Sequence, residues 1–194
     1  MKYLVNTWLL FVIFSAHAQN RSGALASVRP VLDQVVAQYP TNYSTLRGER
    51  LSSDPSTIVY TSNIKLPGAE EAKVLGYPGK KKTYWVWECK YREIEDLQEL
   101  KRVYRALYND ISGNALFKNP NSRYEPVAPY EAPAETQRLW SNLLRLSDRI
   151  SPNNRLVIDL VAENVNFAWV IWVRVYDREQ DADMRPDHPA DDYR

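Results

Sequence analysis

Two apolar stretches that repeat every second residue, TYWVWECKY (83–91) and FAWVIWVRVY (167–176), limit what this chain can fold into. A repeat of two sends successive side chains to opposite faces of a strand, so each stretch calls for a sheet with at least one buried face. In the first, Trp85, Trp87, Cys89 and Tyr91 share one face, with Tyr84, Val86, Glu88, Lys90 and Arg92 opposite. The second is apolar on both faces through its middle, as in a strand that lies centrally or is covered on both sides.

That alternation also decides how Cys89, the single cysteine, is read. It takes its turn with three large aromatics, as an inward strand position does, and free Cys is among the most buried residue types. A nucleophilic thiol needs a lowered pKa and usually a histidine base. Of the two histidines, His17 belongs to the N-terminal leader described below and His188 to a polar, proline-containing tail. Cys89 is therefore expected to be core.

The spacing elsewhere predicts further elements. Leu25, Val28, Val31, Leu32, Val35 and Val36 recur at helical spacing between Ser22 and Tyr39, with Pro30 starting or kinking the helix. Weak strands are expected over Thr45–Leu51 and Ala72–Tyr77, and a well-alternating one over Thr57–Leu66. The clearest helix runs from Leu97 to Ile111, where Leu97, Leu100, Tyr104, Leu107, Tyr108 and Ile111 form one stripe. Residues 114–133 contain Pro120, Pro126, Pro129 and Pro133 and are expected to be irregular. A third helix is expected over Glu135–Asp148 from Leu139, Leu143 and Leu146, with Trp140 and Leu144 adjoining. Leu156–Glu163 alternates again, and a turn at Asn164-Val165-Asn166 joins it to the second opening stretch. The expected fold is thus α+β, an antiparallel sheet of about five strands with helices packed on one face, in the order α-βββ-α-(loop/α)-ββ. On the residues of the TYWVWECKY strand, the Leu97–Ile111 helix and the FAWVIWVRVY hairpin, this order resembles the type III secretion chaperone-like fold. The chain also resembles uncharacterised secreted bacterial proteins. The chaperones work in the cytoplasm, whereas this chain carries an export leader, so the resemblance implies a fold and transfers no function.

The leader is MKYLVNTWLLFVIFSAHAQN: Lys2, then a mostly apolar run from Trp8 to Phe14, then Ala16-His17-Ala18 as a small-x-small cleavage site. The run is shorter than the about 20 residues a membrane span needs, and no later stretch reaches that length. The expected organisation is a signal peptide over 1–18, a single domain over 19–179 and a disordered polar tail over 180–194, with a secreted or periplasmic location after cleavage near Ala18. The chain has 25 Lys and Arg against 24 Asp and Glu. So even a balance lacks the clustered cations of a nucleic-acid binder.

The chemistry-bearing motifs are few. There is no P-loop, GxGxxG, GxSxG or HExxH, and the tail aspartates with His188 lack EF-hand spacing, so no cofactor and no metal are expected. Glu88 and Asp159 are the candidate carboxylate pair for a glycosidase-like site. Six tryptophans and thirteen tyrosines exceed what the helices need for packing, and both are favoured interface anchors. Phe117, Tyr124 and Tyr130, in the proline-broken segment, are the candidate binding residues. The leading expectation is an exported, non-enzymatic envelope module that binds a protein or other envelope macromolecule or associates with itself, a homodimer included. The alternative is a small carboxylate-dependent hydrolase of envelope glycans.

Overall fold

The computed structural model describes residues 26–54, 56–79, 82–113, 122–148 and 155–178; the expected signal peptide and the whole of the expected tail lie outside these. A short helix, α1 (Arg29–Gln38), leads into β1 (Arg47–Asp54), β2 (Thr57–Ser62), β3 (Ala69–Pro78) and β4 (Thr83–Tyr91). A longer helix, α2 (Leu97–Ile111), leads into β5 (Ser122–Pro126), β6 (Leu139–Asp148), β7 (Leu156–Val165) and β8 (Ala168–Asp177). All eight strands join one sheet in the order β1-β2-β3-β4-β8-β7-β6-β5, and every neighbouring pair is antiparallel. Each helix therefore precedes a four-stranded meander, and the two meanders are joined along β4 and β8.

This overturns the expected α+β domain of about five strands: the molecule is dominated by one eight-stranded antiparallel sheet with two helices. Two misread segments account for the difference. Residues 139–148, expected as a third helix, are β6. Their leucines fall at helical spacing because both sheet faces take apolar residues there: Leu144 and Leu146 enter the main core, and Leu143 packs in a smaller cluster on the opposite face. Asn142 interrupts the apolar alternation, yet it is buried and satisfied. Its amide donates to the Tyr104 hydroxyl (2.9 Å) and the Glu131 carbonyl (2.8 Å), and its oxygen accepts from the Glu131 N–H (3.0 Å). The second misread segment is β5, inside the stretch expected to be irregular. It is an edge strand that ends at Pro126, where a missing N–H disturbs nothing.

The main core lies between the helices and one sheet face. Leu32 and Val35 of α1 and Leu100, Tyr104, Leu107 and Ile111 of α2 meet Trp87, Cys89, Ile158, Leu160, Ile171 and Val173. Polar contacts fix the helices in place. Tyr104 donates to the Leu160 carbonyl at 2.6 Å, Tyr43 to the Val175 carbonyl at 2.9 Å, and Tyr39 to the Asp177 carboxylate. Asp96 caps α2 by accepting from the Glu99 N–H at 3.0 Å. The first turn of α1 has no side-chain cap of its own; instead Asp110, from α2, accepts from the Val28 N–H (2.7 Å) and the Ser27 hydroxyl (3.1 Å). Each helix thus helps to hold the other. Gly76 of β3 lies against the ring of Trp85, which a Cβ there would meet at 2.6 Å. No helix among the described residues is long and apolar enough to cross a membrane.

The opposite face carries the smaller cluster of Leu75, Val86, Val157 and Tyr176, with Val59, Tyr77 and Leu143 packed against it. Among the described residues no helix covers it.

Candidate functional site

Strand alternation sends Glu88, Arg174 and Asp159 away from the helices, onto this second face, whose central residues are nonetheless buried: Val157 and Val161 are 1% and 2% exposed. Register then makes them neighbours: Glu88 of β4 opposes Arg174 of β8, which opposes Asp159 of β7. Lys73 of β3 opposes Glu88 and extends the row, so four charges alternate in sign across the middle of the sheet. Their withdrawal from water is substantial. The side chains of Glu88 and Arg174 are 12% and 27% exposed, and Asp159 is 6% exposed.

The row is tied together by hydrogen bonds. Arg174 Nε donates to Glu88 Oε2 at 2.7 Å, and the Ser141 hydroxyl donates to Asp159 Oδ1. Lys73 Nζ reaches Glu71 Oε1, two residues along its own strand, at 2.9 Å. Burial alone would lower the Arg174 pKa; the Glu88 charge and hydrogen bond, with Asp159 behind them, more than reverse this and raise it. The guanidinium also lies 5.7 Å from the ring centre of Trp172. The Trp172 N–H, one row away, is buried and has no acceptor among the described residues. A buried donor without a partner is uncommon and calls for an explanation.

At the β7 end of the row the face opens into a cavity of about 500 Å³. Glu131, Gln137, Ser141, Asp159, Arg174 and Arg178 supply its polar lining, and Leu139, Leu143 and Val161 are among its apolar walls. The next row beyond the charges is apolar, with Leu75 opposite Val86 and Val157 opposite Tyr176. The same sheet positions thus accept aliphatic and aromatic residues one step away.

Glu88 and Asp159, the carboxylate pair picked out from the sequence, are brought to one face two strands apart. At about 4.8 Å per strand their backbones lie about 10 Å apart, with Arg174 between them. The three candidate binding residues are placed differently. Phe117 lies outside the described residues. Tyr124, on β5, is 2% exposed and belongs to the main core, and burial raises its pKa strongly. Tyr130 rests its ring on α2, 4.7 Å from the ring of Tyr108, with the Arg105 guanidinium 4.6 Å from its own centre. Sequence reasoning missed Arg174, Ser141, Gln137 and Arg178. The available signal was Arg174 itself, the one charge within FAWVIWVRVY, opposite a strand that carries Asp159. Cys89 is fully buried in the main core, and burial lifts its thiol pKa from an ordinary 9.0 to about 11.

The observed α-ββββ-α-ββββ order differs from the one on which the chaperone-like resemblance was drawn, so that resemblance carries no argument about function. Comparison of the chain with protein families, with curated proteins and with solved structures finds no match.

Proposed function

We propose that the protein is an exported, non-catalytic binding module of the cell envelope, and that the cavity beside Arg174 is its binding site. The observation that supports this is the alternating row Lys73–Glu88–Arg174–Asp159 beside a cavity of about 500 Å³. Taking charges out of water is expensive, and replacing a buried ion pair with well-packed apolar residues is often neutral or stabilising. The neighbouring apolar row shows that this sheet accommodates such residues. The charged row is thus better explained by recognition than by folding.

Export is tested by N-terminal sequencing of the protein from its producing cell: Gln19 should come first, and intact Met1 in soluble cytoplasm would refute it. Binding is tested by capture from envelope extract with immobilised wild type and with Arg178→Glu. Arg178 is exposed at the cavity, so its reversal should leave the melting temperature in place. A partner held by the wild type and lost by the variant supports the assignment; identical capture by both would move the surface elsewhere.

One observation favours a second reading, hydrolysis of envelope glycans: Glu88 and Asp159, the two carboxylates such chemistry needs, share a face with their backbones about 10 Å apart. Against it stands the Arg174–Glu88 ion pair, which occupies Glu88. Turnover of a soluble peptidoglycan fragment that vanishes in Asp159→Asn would establish this reading.

A further inference from the structure

Among the described residues the sheet has three stretches of edge, and two of them are protected. β1, at one end, carries two register shifts and the exposed charges of Glu49 and Arg50, devices that keep an edge from pairing with another chain. β5, at the other end, is met by the residues after α2: the Gly113 N–H donates to the Tyr124 carbonyl at 2.8 Å. The third stretch is the first half of β6. β5 pairs only with residues 144–148, and one further bond, from the Val127 N–H to the Leu143 carbonyl at 2.9 Å, ends the ladder. Register puts Pro129 next in line, opposite Ser141, and proline has no N–H to give. The chain turns away there, and Tyr130 packs on α2. Strand geometry decides which groups are left over. The Arg138 carbonyl accepts from the Asn164 N–H of β7 (2.7 Å), whereas the Leu143 carbonyl accepts from Val127, so the odd-numbered residues of β6 turn outward. Leu139 and Ser141 therefore point N–H and C=O at the edge, with no backbone partner there among the described residues. Both residues are exposed, Leu139 at 51%. No proline, lysine or bulge interrupts 139–143.

We infer that this edge binds an extended peptide segment of a partner protein, which adds itself as a strand beside residues 139–143. This rests on the reading of the cavity as the binding site and names its ligand. The cavity lies where such a strand runs. Leu139, Ser141 and Leu143 line it from one face of β6, Trp140 from the other, and Glu131 and Gln137 from the segment that leads into β6, so it reaches round the free edge. Five residues of strand span about 17 Å, enough to pair about three to five residues of peptide. Main-chain bonds to Leu139 and Ser141 supply affinity for any sequence, and alternate side chains supply specificity. On the cavity side those side chains meet Leu143 and Val161, which favours an aliphatic residue. A peptide carboxylate suits Arg178, whose guanidinium lines the same cavity on an exposed residue, whereas that of Arg174 is already engaged by Glu88.

A phage-displayed library of random, unconstrained decapeptides, panned on the purified full chain, tests this. Selected peptides should bind in the micromolar range, share an alternating apolar core without proline, and carry Asp or Glu beside it. Ser141→Pro deletes the outward N–H but no bond to β7, so it should weaken a selected peptide about tenfold or more with β6 still in place. Ser141→Ala loses only the hydroxyl and should bind as the wild type does. Methylation of the peptide's own backbone nitrogens should abolish binding at alternate residues and be tolerated between them, a readout that needs no variant of the protein. Equal loss in Ser141→Ala, or peptides indifferent to methylation, would overturn the added strand. So would a wild type that sediments as a dimer broken by Ser141→Pro, which would make a second copy the occupant. If no peptide is selected and Arg178→Glu still loses its envelope partner, the peptide falls and the cavity stands as the site. If no peptide is selected and Arg178→Glu captures what the wild type captures, both fall.

Discussion

Cys89 illustrates how completely neighbours determine what a residue can do. Its thiol is fully buried between the helices and the sheet, and burial raises its pKa to about 11. A thiol held neutral in this way is a poor nucleophile at physiological pH. The native protein should resist thiol reagents at pH 7 and react only on unfolding; rapid labelling of native protein would contradict the structure. Linkage sets the pH direction. The folded pKa lies above the ordinary 9.0, so the stabilisation is complete below pH 9 and is lost as pH rises towards about 11. Cys89→Ala should cost about 1–2 kcal/mol at neutral pH, as small buried truncations do, and should flatten part of the decline in alkali. Buried tyrosines such as Tyr91 and Tyr104, whose pKa values are also raised by burial, account for the rest of that decline. Glu88 and Asp159 were legible as strand charges, but their shared neighbour Arg174 was not, because a register across two strands is not written in any local pattern.

Between elements, the decisive contacts run from one helix to the other and from helix to strand. Asp110 stands near the C-terminal end of α2 but supplies the cap that α1 lacks. Asp110→Ala should therefore destabilise α1, at about 0.5–2 kcal/mol in a urea melt, although its own helix loses no cap. Unchanged stability would show that Ser27 or water caps α1 equally well. The strand β6 makes the converse point. Its leucines at 139, 143 and 146 read as a helix stripe, and only the presence of apolar neighbours on both sheet faces turns them into a strand. The prolines around β5 hid a strand for a related reason: they exclude a central strand but tolerate an edge, and edge position is a property of the whole sheet.

Across the whole molecule, the β4–β8 seam holds the two helix-and-meander halves together, and the Glu88–Arg174 pair lies on it. Glu88→Lys sets two cations against each other and should cost about 3 kcal/mol, and Arg174→Glu should cost a similar amount. The double exchange, Glu88→Arg with Arg174→Glu, should recover more than half of that loss in a denaturant melt. Strictly additive losses would mean that the pair does not couple across the seam. By itself the sequence determined what depends on short-range pattern: the inward face of TYWVWECKY, the stripe of α2, the two-sided burial of FAWVIWVRVY and the structural role expected for Cys89. Only the tertiary structure decided the number of strands, their order, the strand identity of 139–148 and the meeting of Glu88, Arg174 and Asp159 on the sheet face away from the helices. The physical reason is the range of the forces involved. Side-chain periodicity records which surface of one element is buried, whereas sheet order and register depend on contacts between residues as far apart in the chain as Glu88 and Arg174.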